Sequence, residues 1–219
     1  MKLIAENIPA FNDVSVLVEG KGDNKRLYIQ GPFLQAEKVN RNNRVYPMNT
    51  MEKAVAKYTE EYIKESRALG ELNHPAEPVV NPERAAIMTT ELKKNGIYFE
   101  GKAKVLSTPM GRIVENLLND GVKIGVSSRG LGSLRQTREG YNEVQGDFML
   151  TTAADVVFDP SAQSSFVEGI HEGAEWIMES GLFRQIDLEE QQKRLKLAKR
   201  RELNEVKLQV FEKLMKSFI

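Results

Sequence analysis

Alternation of apolar and polar residues dominates the first three quarters of the chain and predicts short antiparallel strands. The strand-like runs are VSVLVEG, RLYIQG, AAIMTTEL, GIYFEGKAKVL, VKIGVSSRGLGSL and DFMLTTAADVVFDP. Turn residues such as KKNG separate them. We therefore expect an α+β domain built around an antiparallel sheet, either open or closed as a β-barrel.

Two segments have the periodicity of amphipathic helices that flank the sheet. From about Thr50 to Arg67, apolar residues recur at helical spacing, and Gly70 is expected to end this helix. The segment STPMGRIVENLLNDG has a capping serine or threonine, a proline suited to a first turn, and Gly121 at its end. It is expected to form the second helix.

The composition changes near Ile186, where a charged stretch without glycine or proline begins. Its apolar residues form one stripe at steps of three and four, namely Leu203, Val206, Val210, Leu214 and Phe218. The sequence therefore predicts a domain over residues 1–185 and an amphipathic helical tail over residues 186–219.

Charge and composition exclude several classes of protein. Lys plus Arg and Asp plus Glu both number 31, so no overall field attracts nucleic acid or an anionic membrane. The absence of cysteine excludes disulfides, thiol nucleophiles and thiolate metal sites. No signal peptide or membrane-spanning run is visible. We expect a soluble intracellular protein with no membrane partner and no specific nucleic-acid binding.

Candidate chemistry lies in three separate segments. His74 stands in GELNHP, and the adjacent Ser127 and Ser128 end a β-type run before glycine, where a hydroxyl and backbone amides can be exposed. Asp155 interrupts an apolar strand and would be costly to bury without a partner, so the pattern alone favours its solvent-facing side. An imidazole oriented by an acid can accept a serine proton, which makes the combination a candidate serine hydrolase site.

Four motifs in one order and spacing carry a resemblance to a known family. NRNNRVYP, GELNHP, GVSSRGLGSL and ADVVFDPSA resemble the prohead core protein proteases of T-even-like tailed bacteriophages, over roughly residues 25–170. The family's fold is similar to that of herpesvirus assembly proteases. The resemblance implies a serine endopeptidase of capsid maturation with no cofactor and no metal. It would act within the prohead in the host cytoplasm as a homo-oligomer.

The same resemblance implies the substrates. They are the scaffold or core proteins, the major capsid protein precursor and the enzyme itself, which is made as a zymogen. Cleavage is implied after glutamate, in a pattern of Leu or Ile, any residue, then Glu. The tail over residues 186–219 would be removed or would bind the scaffold.

Residue by residue, the resemblance implies His74 as the catalytic histidine, Ser127 as the nucleophile and Asp155 as the acid. Ser128 remains an alternative nucleophile, because adjacent strand residues face opposite sides. His171 remains an alternative third member, because herpesvirus relatives use a second histidine. Its segment, GIHEGAEWIM, has a helical pattern.

The oxyanion hole is implied at the backbone amides of Arg129 and Gly130 or just after them. Arg129 is equally compatible with a surface salt bridge. NRNNRVYP is compatible with a substrate or subunit contact and with a structural turn.

Two other functions are compatible with the sequence. One is a zinc hydrolase centred on His74, Glu71 and Glu77, although catalytic zinc usually takes three protein ligands rich in histidine and the chain has two histidines. The other is a non-enzymatic scaffold or structural capsid component in which the tail helix does the work.

Overall fold

Strands make up most of the described architecture. The computed structural model describes residues 1–7, 15–19, 26–73, 75 and 77–157, and the backbone of 174–179 and 182–187. In chain order the strands are β1 (Lys2–Asn7), β2 (Ser15–Glu19), β3 (Arg26–Gln35), β4 (Arg44–Val45), β5 (Leu69–Glu71), β6 (Ala85–Asn95), β7 (Tyr98–Val105), β8 (Gly125–Gly132), β9 (Leu134–Gln136), β10 (Asn142–Val144), β11 (Met149–Val157), β12 (Ala174–Glu179) and β13 (Leu182–Asp187).

The helices are short. They are α1 (Met48–Tyr58), which continues into a π-helical turn at Thr59–Ile63, and α2 (Pro109–Asn119); a 3-10 turn covers Pro82–Arg84. Among the described residues, none of the helices has the length and apolar character needed to cross a membrane.

Two antiparallel sheets form the body of the domain. One has the strand order β2-β3-β7-β6-β5 and the other the order β1-β8-β11. They meet where β5 ends, since Leu72 forms a parallel bridge with Val156 and the Asn73 amide donates to the Val156 carbonyl oxygen at 2.9 Å. A small sheet β4-β10-β9 and the hairpin β12-β13 complete the described strands.

The antiparallel sheet and flanking helices are confirmed, but the expectation of a closed barrel is wrong. In the described part of the chain, β1 and β2 remain open edges, because each pairs with one neighbouring strand. Closure would need these two edges to pair with each other. The two sheets instead share a single core that includes Ile4, Phe33 and Val156.

The predicted strands and helices are largely confirmed. In α1, Met51, Val55 and Tyr58 are buried, as their spacing predicts. The Thr108 hydroxyl accepts a hydrogen bond from the Gly111 amide at 3.1 Å and caps α2. The strands over 85–95 and 98–105 form the expected hairpin. Periodicity and capping are local signals, so these elements could be predicted without knowing the fold.

Other segments differ from expectation. KLIAEN, to which no element was assigned, forms β1, and the polar stretch after Gly132 contains the hairpin β9-β10. The segment with the helical pattern around His171 continues into a strand at Ala174–Glu179, which pairs with Leu182–Asp187 across the predicted boundary at residue 185. His171 and residues 188–219, including most of the predicted tail, lie outside the described residues.

Gly70 was expected to end a helix, but it lies within β5. A Cβ atom at this position would lie 1.9 Å from the Ala154 carbonyl oxygen and 2.9 Å from a side-chain carbon of Ile87. Because the first of these atoms belongs to the backbone of β11, a side chain here would push β5 and β11 apart. Gly70 therefore allows the close approach that joins the two sheets.

We expect Gly70→Ala to lower the free energy of unfolding by about 2 kcal/mol or more, because overpacked sites force backbone shifts. Gly146→Ala is the matched control, because a Cβ there would meet nothing within 4 Å. Its effect should stay within about 0.5 kcal/mol. Urea denaturation of both variants measures the difference, and equal transition midpoints would contradict the close approach.

Candidate active site

Strands β8 and β11 bring together two of the predicted site residues. Ser127 lies directly opposite Asp155 in the antiparallel register. Directly opposed residues have Cα atoms about 4.5–5.5 Å apart and side chains on the same face. Ser127 is 1% exposed and Asp155 is 0% exposed. The expectation from the pattern alone that Asp155 faces solvent is therefore wrong, because β11 is covered on both faces.

The two adjacent serines lie on opposite faces of β8. The Arg129 side chain, two positions after Ser127, bonds to Asp155, so Ser127 belongs to the same face as that carboxylate. Ser128 is opposite Glu6 in β1 and lines a small cavity beside the Glu6 side chain. The Asp155 face of β8 therefore carries Ser127, and Ser128 faces Glu6.

A buried ion cluster surrounds Asp155, and we define it as Arg129, Asp155 and Glu71. The Arg129 Nε donates to Asp155 Oδ2 at 2.6 Å, and Nη2 donates to Oδ1 at 3.2 Å. Nη2 also pairs with Glu71 Oε2 at 2.5 Å. The Glu71 amide donates to Asp155 Oδ1 at 2.7 Å. All three side chains are fully buried, so the surface salt bridge considered for Arg129 is wrong.

Burial and charge act in opposite directions within this cluster. Burial alone would lower the pKa of Arg129, but the Asp155 and Glu71 carboxylates raise it above its usual value. Burial raises the pKa of Glu71, while Arg129 and the Asn81 amide partly counteract that rise. The guanidinium therefore stays charged and is the cation that makes two buried carboxylates tolerable.

The segment that contains His74 is attached to this region on both sides. His74 itself lies outside the described residues. Before it, the Asn73 amide donates to the carbonyl oxygen of Val156, the residue after Asp155. After it, the Glu77 carbonyl oxygen accepts a hydrogen bond from Arg129 Nη1. The neighbours of His74 are thus held beside Asp155 and Arg129.

The candidate oxyanion residues lie in the middle of β8. Arg129 and Gly130 are in register with Ala5 and Ile4 of β1. A Cβ atom at Gly130 would lie 2.4 Å from the Phe148 ring, so glycine is required for packing at this position. The oxyanion role of their backbone amides stays a prediction.

The contacts of Glu71 disfavour the alternative zinc centre. That centre would use the Glu71 carboxylate, whose oxygens accept from Arg129 and from the Asn81 amide at 3.0 Å. Across the described residues there is no group of three His, Cys, Asp or Glu side chains that could hold a metal ion.

The sequence indicates Glu6 only as the last residue of Ile4-Ala5-Glu6, which fits the implied cleavage pattern, and does not place it at the site. The Glu6 carboxylate lies on the other face of β8 from the ion cluster. The Ser127 Oγ donates to the Glu6 carbonyl oxygen at 2.8 Å. Four side chains donate to the Glu6 carboxylate: Asn40 at 2.6 Å, Asn42 at 2.8 Å, Arg44 at 3.0 Å and Tyr46 at 3.1 Å. We call these four residues the glutamate cradle. The density of side-chain donors in NRNNRVYP is the signal that could have indicated an anion site.

The protonation of Tyr46 agrees with its role as a donor in the cradle. Burial, and then the adjacent Glu6 carboxylate, raises the pKa of Tyr46 well above its usual value. The hydroxyl therefore keeps its proton and donates it to Glu6. Its ring packs edge-on against Phe148, with ring centroids 5.2 Å apart, which holds the hydroxyl in place.

A larger cavity lies away from these residues. It has a volume of about 620 Å³ and is lined by α1, the π-helical turn, Pro78–Pro82 and the first residues of β11. Neither Ser127 nor a member of the ion cluster lines it. The candidate site therefore rests on the convergence of polar side chains and not on the size of a cavity.

We expect Arg129→Ala to lower the free energy of unfolding by about 3–5 kcal/mol at neutral pH, because two buried carboxylates would lose their cation. Arg129 lowers the pKa of Glu71, so its removal should raise that pKa further above the ordinary 4.5. A carboxyl with a raised folded-state pKa destabilises the fold increasingly as pH rises above its unfolded value. The loss should therefore be smaller at mildly acidic pH.

The control is Arg135→Ala, which breaks an exposed ion pair with Glu143 and should change stability by less than about 1 kcal/mol. Urea denaturation at neutral pH and at mildly acidic pH measures the free energy of unfolding of both variants. Equal losses for the two arginines, or a loss at Arg129 that grows as the pH falls, would contradict the description of the cluster.

Comparisons with known proteins identify the family of this chain. The family model for the prohead core protein serine protease matches residues 4–175. The prohead core protein protease of Enterobacteria phage T4 is 45% identical over 146 residues, which cover 64% of this chain and 68% of that protein. The solved structure of the bacteriophage T4 capsid assembly protease is similar with a TM-score of 0.66 and 38% identity, over 72% of this chain and 98% of that one.

The family match spans every part of the site described above. It runs from Ile4 in β1 through the glutamate cradle, the His74 segment and β8 to the end of β11. It covers well over half of the chain, and the T4 protease is matched over more than two thirds of its own length. This chain belongs to the prohead core protein serine protease family.

Proposed function

We propose that this prohead protease cleaves core, scaffold and shell precursor proteins, and itself, inside the assembling capsid in the host cell. Ser127 is the nucleophile, His74 the general base and Asp155 the residue that positions the base. The names of the T4 relatives, a prohead core protein protease and a capsid assembly protease, support this class of substrate. Cleavage after glutamate is part of the proposal and rests on the family resemblance.

The observation that carries the mechanism is the register of Ser127 opposite Asp155 in two buried strands. Ser127 Oγ attacks the scissile carbonyl carbon while His74 accepts its proton. The same proton then passes to the leaving amine. Water next attacks the acyl-enzyme, His74 accepts the proton of that water, and the proton returns to Ser127 Oγ as the acyl group leaves. The attachment of Asn73 and Glu77 beside Asp155 and Arg129 supports His74 as the base.

The charge of the ion cluster suits this chemistry. With both carboxyls ionised, one guanidinium and two carboxylates leave one net negative charge, in a region shielded from water. A net negative charge favours the imidazolium that forms at the transition state, and a buried environment strengthens that interaction. Asp155 thus has two roles: it stabilises Arg129 and favours the protonated base.

The buried cluster also argues against a purely structural role for the chain. Well-packed apolar residues usually support a fold as well as a buried ion network does, or better. Ionisable groups with shifted pKa values in a buried site are typical of functional sites. The cluster beside Ser127 therefore favours an enzyme over an inactive capsid component.

We expect Ser127→Ala to abolish self-cleavage and cleavage of a glutamate-containing peptide, with a rate loss of at least about a thousandfold. Ser128→Ala is the matched control, because it removes the neighbouring hydroxyl from the opposite face of the same strand. Mass spectrometry of the termini after incubation measures self-cleavage. Loss in Ser128→Ala with activity in Ser127→Ala would identify Ser128 as the nucleophile, and activity in both would refute the serine mechanism.

We expect Asp155→Asn to lower kcat by about a thousandfold or more, because an amide favours the wrong imidazole tautomer. His171→Ala should change kcat by less than about tenfold. Both rates are measured at a temperature where circular dichroism shows a folded protein, because Asp155 also contacts Arg129. The pH profile of the residual activity should shift in Asp155→Asn. A larger loss of kcat in His171→Ala than in Asp155→Asn would make His171 the third catalytic residue beside Ser127 and His74.

A further inference from the structure

We propose that the glutamate cradle is the specificity pocket for a glutamate that precedes the scissile bond. Strand β1 occupies this pocket with Glu6 and competes with the substrate. The inference rests on the serine mechanism proposed above and adds the residues that select the substrate. It assigns NRNNRVYP a binding role in place of a structural turn.

A bound substrate must satisfy two conditions at once. The carbonyl of the residue before the scissile bond has to reach the nucleophile, and the side chain of that residue has to enter a specificity pocket. Glu6 places both groups at the site: its carboxylate lies in the cradle, and its carbonyl oxygen accepts a hydrogen bond from Ser127 Oγ at 2.8 Å, so the carbonyl group lies next to the nucleophile. With β1 in this position, Ser127 is 1% exposed, so a substrate has to replace the strand.

The cradle matches the shape and charge of a carboxylate. Arg44 and Tyr46 donate to one oxygen of Glu6, and Asn40 and Asn42 donate to the other. A glutamine would turn its NH₂ group toward two of these donors and leave them unpaired in a partly buried site. Arg44 supplies one positive charge, which compensates one carboxylate. The cradle is therefore built to discriminate glutamate from glutamine.

The position of β1 permits its replacement. It is an edge strand in the order β1-β8-β11, and edge strands are where an added peptide can pair. An extended substrate can pair with β8 in the same antiparallel register, with its glutamate opposite Ser128. Ile4, two residues before Glu6, is 2% exposed in the main core. A substrate in this register therefore needs an apolar residue two positions before its glutamate.

The first test measures specificity with the full chain. The probes are two peptides that differ only in glutamate or glutamine before the scissile bond, with leucine two positions earlier. Wild type should prefer the glutamate peptide in kcat/KM by at least about a hundredfold, because the glutamine leaves two donors of the cradle unpaired. Arg44→Met should reduce that preference at least about tenfold. The preference should stay unchanged in Arg135→Met, which alters an exposed arginine.

A glutamate cradle that only stabilises the fold would give a different result. Arg44→Met would then lower thermal stability and leave the preference for glutamate unchanged, which would overturn the proposal. If Arg44→Met fails to fold, Tyr46→Phe gives the same test, because it removes one donor and keeps the ring against Phe148. A preserved preference in Tyr46→Phe would likewise overturn it.

The second test measures competition by β1. In the inactive Ser127→Ala background, a peptide that ends in glutamate should bind at least about tenfold more tightly when Glu6→Gln is also present, since the resident side chain then fits the cradle poorly. Isothermal titration calorimetry measures both dissociation constants. An unchanged or weaker affinity would show that β1 is not the competitor and would overturn that part of the proposal.

The outcomes separate this inference from the proposed function. Proteolysis that survives in Ser127→Ala would refute the serine mechanism itself. Loss of proteolysis in Ser127→Ala, together with an intact glutamate preference in the Arg44→Met enzyme, would refute the pocket and leave the mechanism standing.

Discussion

The fold and the candidate site both depend on one buried guanidinium, that of Arg129. Its two carboxylate partners come from different sheets, since Asp155 lies in β11 and Glu71 in β5. The guanidinium thus connects the sheets at the point where the close packing at Gly70 already brings them together. Such a network pays a large desolvation cost and tolerates the loss of no member, because each loss leaves a buried charge behind.

Described residues on both sides of His74 are attached to the same region. The ends of the His74 segment are attached through backbone groups to β11 and to Arg129, so their positions depend on the strands and not on the sequence of the loop. Proposed catalytic groups on rigid strands, supported by a second layer of polar contacts, are held more accurately than groups on free loops. The ion network therefore costs stability, but it holds the residues around the proposed site accurately in position.

Two polar networks lie on opposite faces of β8. The ion cluster lies on the Ser127 face, and the glutamate cradle receives Glu6 on the Ser128 face. The proposed nucleophile is the point at which they meet, since its hydroxyl bonds to the Glu6 backbone and its strand carries Arg129. This arrangement connects the proposed chemistry on one face with proposed substrate selection on the other.

The sequence by itself determined the local elements and the family. Alternation gave the hairpin over 85–105, and a threonine cap and a closing glycine gave α2, because both signals act over a few residues. The four motifs indicated the protease family, and the match over residues 4–175 confirmed it. The strand β1 was missed because its pairing with β8, more than a hundred residues away along the chain, is what makes it a strand.

Only the tertiary structure decided which residues meet. The face of Ser127, the burial of Arg129 and the pairing of Glu71 all depend on the register between strands that lie far apart in the sequence. A shift of one residue would have put Ser128 beside Asp155 instead, and no local pattern encodes that choice. The role of Gly70 was likewise invisible in the sequence, because the backbone that excludes a side chain there belongs to β11.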